Sequence, residues 1–241
     1  MLRSAACAMM KARTEAAPRP GRSLPSQGAA QREGESVDSF REATAPYAEG
    51  EVPGVPWMWC VPDGTWTWEL FAALPEDGNR YEVIGGRLEL SPPPKIAHQR
   101  VSVSLAGMLW AWAKRTQSGE VLTAPVAVVF ADSGSYLEPD LIWIARERRS
   151  ILASDQVRGA PDLVVEILSP GTARSDWADK KRVYERAGVP RYWVVDPDAR
   201  YLMAFRLVDG RYQVERRVEA AGSFEPEGLP DLVISMNTLW E

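Results

Sequence analysis

The sequence predicts a mixed α/β fold (α+β in its ordering), a central sheet of mixed strand direction with helices on both faces. Three observations predict it. Short β-branched runs recur between two segments of helical spacing, glycine-centred hairpins stand near both ends, and residues 162–168 are almost entirely apolar, as a central buried strand requires.

Taken in order, residues 65–74 carry apolar side chains at helical spacing, stop at Pro75, and have Thr67 as an N-cap. Residues 80–84 and 87–90 flank Gly85-Gly86 and read as a hairpin, broken after Ser91 by three prolines. Apolar residues at 101, 105, 108, 109 and 112 predict a helix over 98–116. Residues 121–130 are expected as one strand, followed by a turn at 132–134 and a strand at 141–145. After the 162–168 strand and a Ser169-Pro170-Gly171 turn, Ser175 or Asp176 can cap a helix that runs to about Ala187, with Gly188 as its C-cap. A strand at 191–195 and a hairpin of 201–207 with 211–218 complete the order.

Residues 1–56 differ from the rest. They are rich in Ala, Pro, Gly, Ser, Arg and Glu, and sparse in large apolar side chains, so they are expected to form a disordered tail ahead of a folded domain at 57–241. Such a tail is either functional or an extension from an upstream start, since Met58 lies at the onset of the ordered pattern. Through residue 60 the chain holds seven Lys/Arg and seven Asp/Glu, so the folded part carries the whole formal charge of -5. That charge does not announce a phosphate-binding surface. No window supplies the roughly 18 apolar residues of a membrane span, and no secretory signal is evident, which points to the cytoplasm. Two cysteines, Cys7 and Cys60, give neither a disulfide framework nor zinc spacing. A single histidine, His98, excludes mechanisms that need two. Its simpler reading is packing or capping; the sharper one is a lone acid or base. Trp66 with Trp68, and Trp110 with Trp112, read as core or interface bulk.

Glu166 is the one charge inside its apolar run, so it needs a cationic partner, a proton or a metal. Asp140 follows Pro139 at the mouth of another strand. Carboxylates at strand ends suit Mg²⁺, although a Glu–Arg pair is as common an outcome. Asp176, Lys180 and Tyr184 share one helical face. They are either an ordinary surface pair with a neighbour, or a set that folds back over the strand ends near Glu166.

Several strings together resemble the Uma-type restriction-endonuclease family of bacteria, once catalogued as a domain of unknown function. They are LPEDGNRYEVIGG at 74–86, AHQR at 97–100, EPDL at 138–141 and GAPDLVVEILSP at 159–170, with Asp176, Lys180, Tyr184, Gly188-Val189 and YWVVDP at 192–197. The resemblance runs in order over about 65–240. It implies a restriction-endonuclease-like fold of the PD-(D/E)xK nuclease superfamily, DNA as partner, Mg²⁺ (or Mn²⁺) as cofactor, and leaves a homodimer open. It further implies Asp140 and Glu166 as catalytic metal ligands, Glu82 as an assisting acidic ligand, and Lys180 as the catalytic lysine. The usual motif has its lysine two residues after the glutamate; here that position is Leu168, and the resemblance moves the role to the following helix. A metal-dependent endonuclease and a non-catalytic module that retains the fold are the two function classes that result.

Overall fold

In the computed structural model, residues 56–91, 93–169 and 176–241 are described. The expected tail of 1–56 lies outside them except for its last residue, as does Ser175.

A single 3-10 turn at Trp57–Cys60 leads into α1 (Trp68–Ala72), whose first turn is closed by the Thr67 hydroxyl accepting from the Leu70 N–H at 3.4 Å. The hairpin β1 (Arg80–Ile84) and β2 (Arg87–Ser91) turns through Gly85 and Gly86, both at positive φ. A Cβ on Gly86 would meet the Gly64 backbone at 2.6 Å, so this position needs glycine twice over. Helix α2 (Ile96–Thr116) buries Val101, Leu105, Leu109 and Trp112 of the predicted stripe and Ala113 besides, with Met108 half-buried.

The strand expected over 121–130 is two strands. β3 (Gly119–Thr123) and β4 (Val128–Phe130) belong to different sheets, with the cis Ala124–Pro125 bond between them. Pro125 has no N–H to offer a ladder, so an unbroken strand cannot pass through it. Then come β5 (Ser135–Leu137), β6 (Leu141–Ala145), β7 (Val157–Arg158), β8 (Leu163–Ile167), α3 (Asp176–Arg186), β9 (Arg191–Asp196), β10 (Tyr201–Val208) and β11 (Arg211–Val218). The chain closes with β12 (Ser223–Phe224), β13 (Ile234–Ser235) and α4 (Met236–Trp240), none of them expected.

Six strands in the order β11-β10-β9-β8-β6-β3 form the main sheet, antiparallel except for the parallel β8–β9 pair. A second sheet, β2-β1-β5-β4-β7, replaces the single sheet that the sequence suggests. The mixed α/β class stands, and helices cover both faces of the main sheet. Strand alternation sorts the layers. Leu141, Trp143, Leu163, Val165, Ile167, Trp193 and Val195 pack with α2 and α4. Ile142, Ile144, Val164, Tyr192 and Val194 pack on the opposite face with Val183 and Tyr184 of α3 and with strands of the second sheet. Among the described residues no helix is long and apolar enough to cross a membrane.

Candidate functional site

Glu166 continues the parity of Val164, so the period of two that builds β8 aims it at α3. Asp140, one residue before β6, has the parity of Ile142 and faces the same way. On β1, Tyr81 and Val83 serve a core of their own, which turns Arg80 and Glu82 toward the main sheet. From α3, Lys180 and Tyr184 sit one helical turn apart on the inward face.

These placements bring four acidic and two cationic side chains together at the ends of β1, β6 and β8. The Lys180 ammonium lies 2.7 Å from Glu82 Oε2, and 3.3 and 3.2 Å from Glu166 Oε1 and Oε2. The Tyr184 hydroxyl donates to Glu166 Oε1 at 2.6 Å. Asp140 Oδ1 accepts from Arg80 Nη1 at 2.9 Å. Asp140 Oδ2 accepts from the Ile167 N–H at 2.7 Å and lies 3.2 Å from His98 Nε2. Glu82 Oε1 accepts from the Glu138 N–H at 2.9 Å, and Glu138 Oε2 lies 3.8 Å from Arg80 Nε. Glu82, Asp140, Glu166, Lys180 and His98 are all buried.

Charge is unevenly shared in this cluster. Burial pushes the Glu166 carboxyl above its ordinary range; Lys180 opposes the shift, and the charges of Asp140 and Glu82 add to it. Glu138 is likewise raised, by burial first, against the pull of Arg80. Burial also works against ionised Asp140, but the His98 and Ile167 hydrogen bonds and the Arg80 charge outweigh it and hold Asp140 low. Lys180 is raised, because Glu166 and Glu82 overcome its burial. One carboxylate of a crowded set thus stays firmly ionised while another resists ionisation, a pattern that marks functional sites.

All four residues predicted from the sequence fall in this one network. Glu82, Lys180 and Glu166 touch directly, and Asp140 joins through the Ile167 N–H and Arg80. Glu166 has both a lysine and a hydroxyl as partners. Lys180 is no surface residue, and the Asp176 side chain lies outside the described residues. His98 neither caps α2 nor merely packs: its Nε2 meets Asp140. Arg80, Glu138 and Tyr184 complete the cluster. The i, i+2 spacing of Arg80 with Glu82 and of Glu138 with Asp140 was the available signal for the first two.

The donor chemistry fits a hard divalent cation. The carboxylate oxygens converge from the ends of β6 and β8 in the main sheet and from β1 in the second, and the acidic side chains outnumber the cationic ones. As arranged, however, no three Asp, Glu, His or Cys side chains among the described residues form a cage for a metal, because Arg80, Lys180 and two backbone N–H groups hold the oxygens.

The mixed sheet with helices on both faces, and with an aspartate and a glutamate at neighbouring strand ends, is that of an α/β protein of the restriction-endonuclease-like class. The chain belongs to the Uma2 family, described as putative restriction endonuclease, whose model matches residues 68–237. Its fold is similar to the crystal structure of a putative nuclease belonging to DUF820 from Anabaena variabilis. The TM-score is 0.60 at 20% identity, covering 73% of this chain and 97% of that one. Among curated proteins none matches.

Proposed function

We propose that this protein is a Mg²⁺-dependent endonuclease, Mn²⁺ being an alternative ion, that hydrolyses phosphodiester bonds of DNA in the cytoplasm. The observation that carries the reading is the buried Lys180 ammonium, seated between Glu82 and Glu166 beside a firmly ionised Asp140. A structural salt bridge needs one carboxylate for one ammonium; this arrangement has a carboxylate to spare.

Asp140 and Glu166 would hold the cation, with Glu82 alongside. When bound, such an ion lowers the pKa of water and offsets the charge of the scissile phosphate. The remaining work falls to the chain. Lys180 orients the attacking water and stabilises charge that develops as the water oxygen bonds to phosphorus and the ester P–O bond breaks. Tyr184 fixes the Glu166 carboxylate through a 2.6 Å hydrogen bond, and Ile167 N–H with His98 fixes Asp140. Both are positioning contacts.

The second reading, a non-catalytic module that keeps the fold, is favoured by the -5 charge of the chain and by carboxylates already engaged by side-chain cations. Incubating the full chain with single- and double-stranded DNA and Mg²⁺ or Mn²⁺ separates the two. Cleavage that is abolished by EDTA and by Glu166→Gln supports the enzyme; no cleavage together with no metal binding supports the module.

A further inference from the structure

The two cations of the cluster are seated very differently. Lys180 makes close contacts to both Glu82 and Glu166, and its side chain is only 9% exposed. Arg80 makes one close contact, Nη1 to Asp140 Oδ1 at 2.9 Å. Its Nε and Nη2 are buried without a hydrogen-bond partner, 3.8 Å from Glu138 Oε2 and 3.9 Å from Glu82 Oε1. Arg148 is seated differently in this molecule, giving Nη1 to Asp162 at 2.8 Å and Nη2 to the Ala160 carbonyl at 2.8 Å. Arg80 is therefore held by charge more than by geometry, and its side chain is 21% exposed.

Its position also conflicts with a metal. Asp140 Oδ2 already faces the Ile167 N–H and His98 Nε2, which leaves Oδ1 as the oxygen open to a ligand bond. Arg80 Nη1 stands on that oxygen. A divalent cation held by that oxygen would crowd a second positive charge into the same place.

We propose that Arg80 is an exchangeable counter-cation, neutralising Asp140, Glu82 and Glu138 in the metal-free protein and giving way when a divalent cation binds. It thereby lowers the metal affinity of the site and stabilises the site when empty. This inference rests on the metal reading given above and predicts the sign of an effect which that reading leaves open. A structural arginine, when lost, leaves affinity unchanged or lower; a competing cation, when lost, raises it.

The experiment is calorimetric titration of Mn²⁺ into the full chain, comparing wild type, Arg80→Met and Glu166→Gln, with thermal midpoints measured alongside. Arg80→Met should bind Mn²⁺ about tenfold tighter or more, because a full charge leaves the site. It should also melt earlier without metal and gain more on adding Mn²⁺. Wild-type binding with equal or weaker binding by Arg80→Met overturns the inference and leaves the metal reading intact. No saturable binding by either protein overturns both. If Arg80→Met does not fold, the wild-type Arg80 Nε–H is followed by ¹⁵N NMR during a Mg²⁺ titration. Loss of its protection from solvent supports displacement, and unchanged protection overturns it.

Discussion

Strand β8 has a buried carboxylate near each end, and the two behave differently. Asp162, just before the strand, accepts from the Ala145 N–H at 2.8 Å on one oxygen and from Arg148 at 2.8 Å on the other. The match is one to one, and it ties β8 to the turn after β6. Glu166, four residues on, shares Lys180 with Glu82 and has Asp140 for a neighbour; burial first, and then the charges of Asp140 and Glu82, disfavour its ionisation against the pull of Lys180. A fold that needs only to hold its strands together gives each buried carboxylate its own donors. Carboxylates crowded around a shared cation, as at the Glu166 end, are what the proposed metal site requires.

The largest expected effect tests the Glu166 end. Lys180→Ala should lower the rate of DNA cleavage about 10²–10³-fold, the usual loss for a positioned transition-state contact, while Mn²⁺ binding is retained. Arg148→Ala, at the Asp162 end, should leave the rate per folded molecule unchanged. Equal losses in the two variants would reduce both to general electrostatics of DNA binding, and full activity in Lys180→Ala would remove the lysine assignment.

Stability should divide the other way. Asp162→Asn should cost about 1–3 kcal/mol in urea unfolding, since it strips a buried charge-assisted hydrogen bond from Arg148 and weakens the one from Ala145. Glu166→Gln should leave the metal-free protein as stable as wild type or more so, while weakening Mg²⁺ binding. A large loss of metal-free stability in Glu166→Gln would make the two ends alike and return Glu166 to the role of a plain ion-pair partner.

Why part of the site was legible and the rest was not follows from how each part is encoded. Glu166 and Lys180 stand out locally, one as a charge in an apolar run, the other on a helical face in step with Tyr184. Hairpin β1–β2, α2, β8, α3 and the β10–β11 hairpin rest on similarly local patterns of period and turn chemistry. The contacts that complete the site are long-range. Arg80 lies 60 residues from Asp140, and no pattern in either neighbourhood specifies the pairing. The division into two sheets depends on a break at Pro125 inside a β-branched run. The strands β5 and β7 are of three and two residues, too short to show a period. The segment from β12 to α4 is short too, and it is recognisable only through the core that Phe224, Leu232, Ile234, Met236 and Leu239 fill.

A smaller effect should appear in the pH dependence of the metal-free protein. The folded-state pKa of Glu166 is raised above its ordinary 4.5, so its stabilising contribution is full below that value and is lost as pH rises through the raised pKa. Asp140 is lowered from 3.8 and has the opposite sign: its contribution is present above 3.8 and is lost as pH falls through the lowered value. Raising the pH from about 4.5 toward neutrality should therefore weaken the wild type relative to Glu166→Gln, measured as the gap between their urea midpoints. A gap that is constant over this range would mean that the Glu166 end carries no strained charge.

The smallest effect concerns Lys181, the neighbour of Lys180. Helical geometry turns it about 100° away, and on that ground it is expected to be a solvated side chain, the natural control for Lys180. The structure corrects this: its ammonium stands 4.2 Å from the centre of the Phe205 ring, so Lys181 joins α3 to β10. Lys181→Ala should then cost roughly 0.5–1 kcal/mol of stability, the scale of a partly exposed cation–π contact. It should leave both metal affinity and cleavage rate per folded molecule unchanged, because the Phe205 ring that it covers belongs to β10, which supplies none of the cluster side chains named above. Urea unfolding and the cleavage assay measured on one preparation decide the matter. A rate loss without a stability loss would place Lys181 in the DNA-binding surface, and would extend the contrast between the ends of β8 to the two faces of α3.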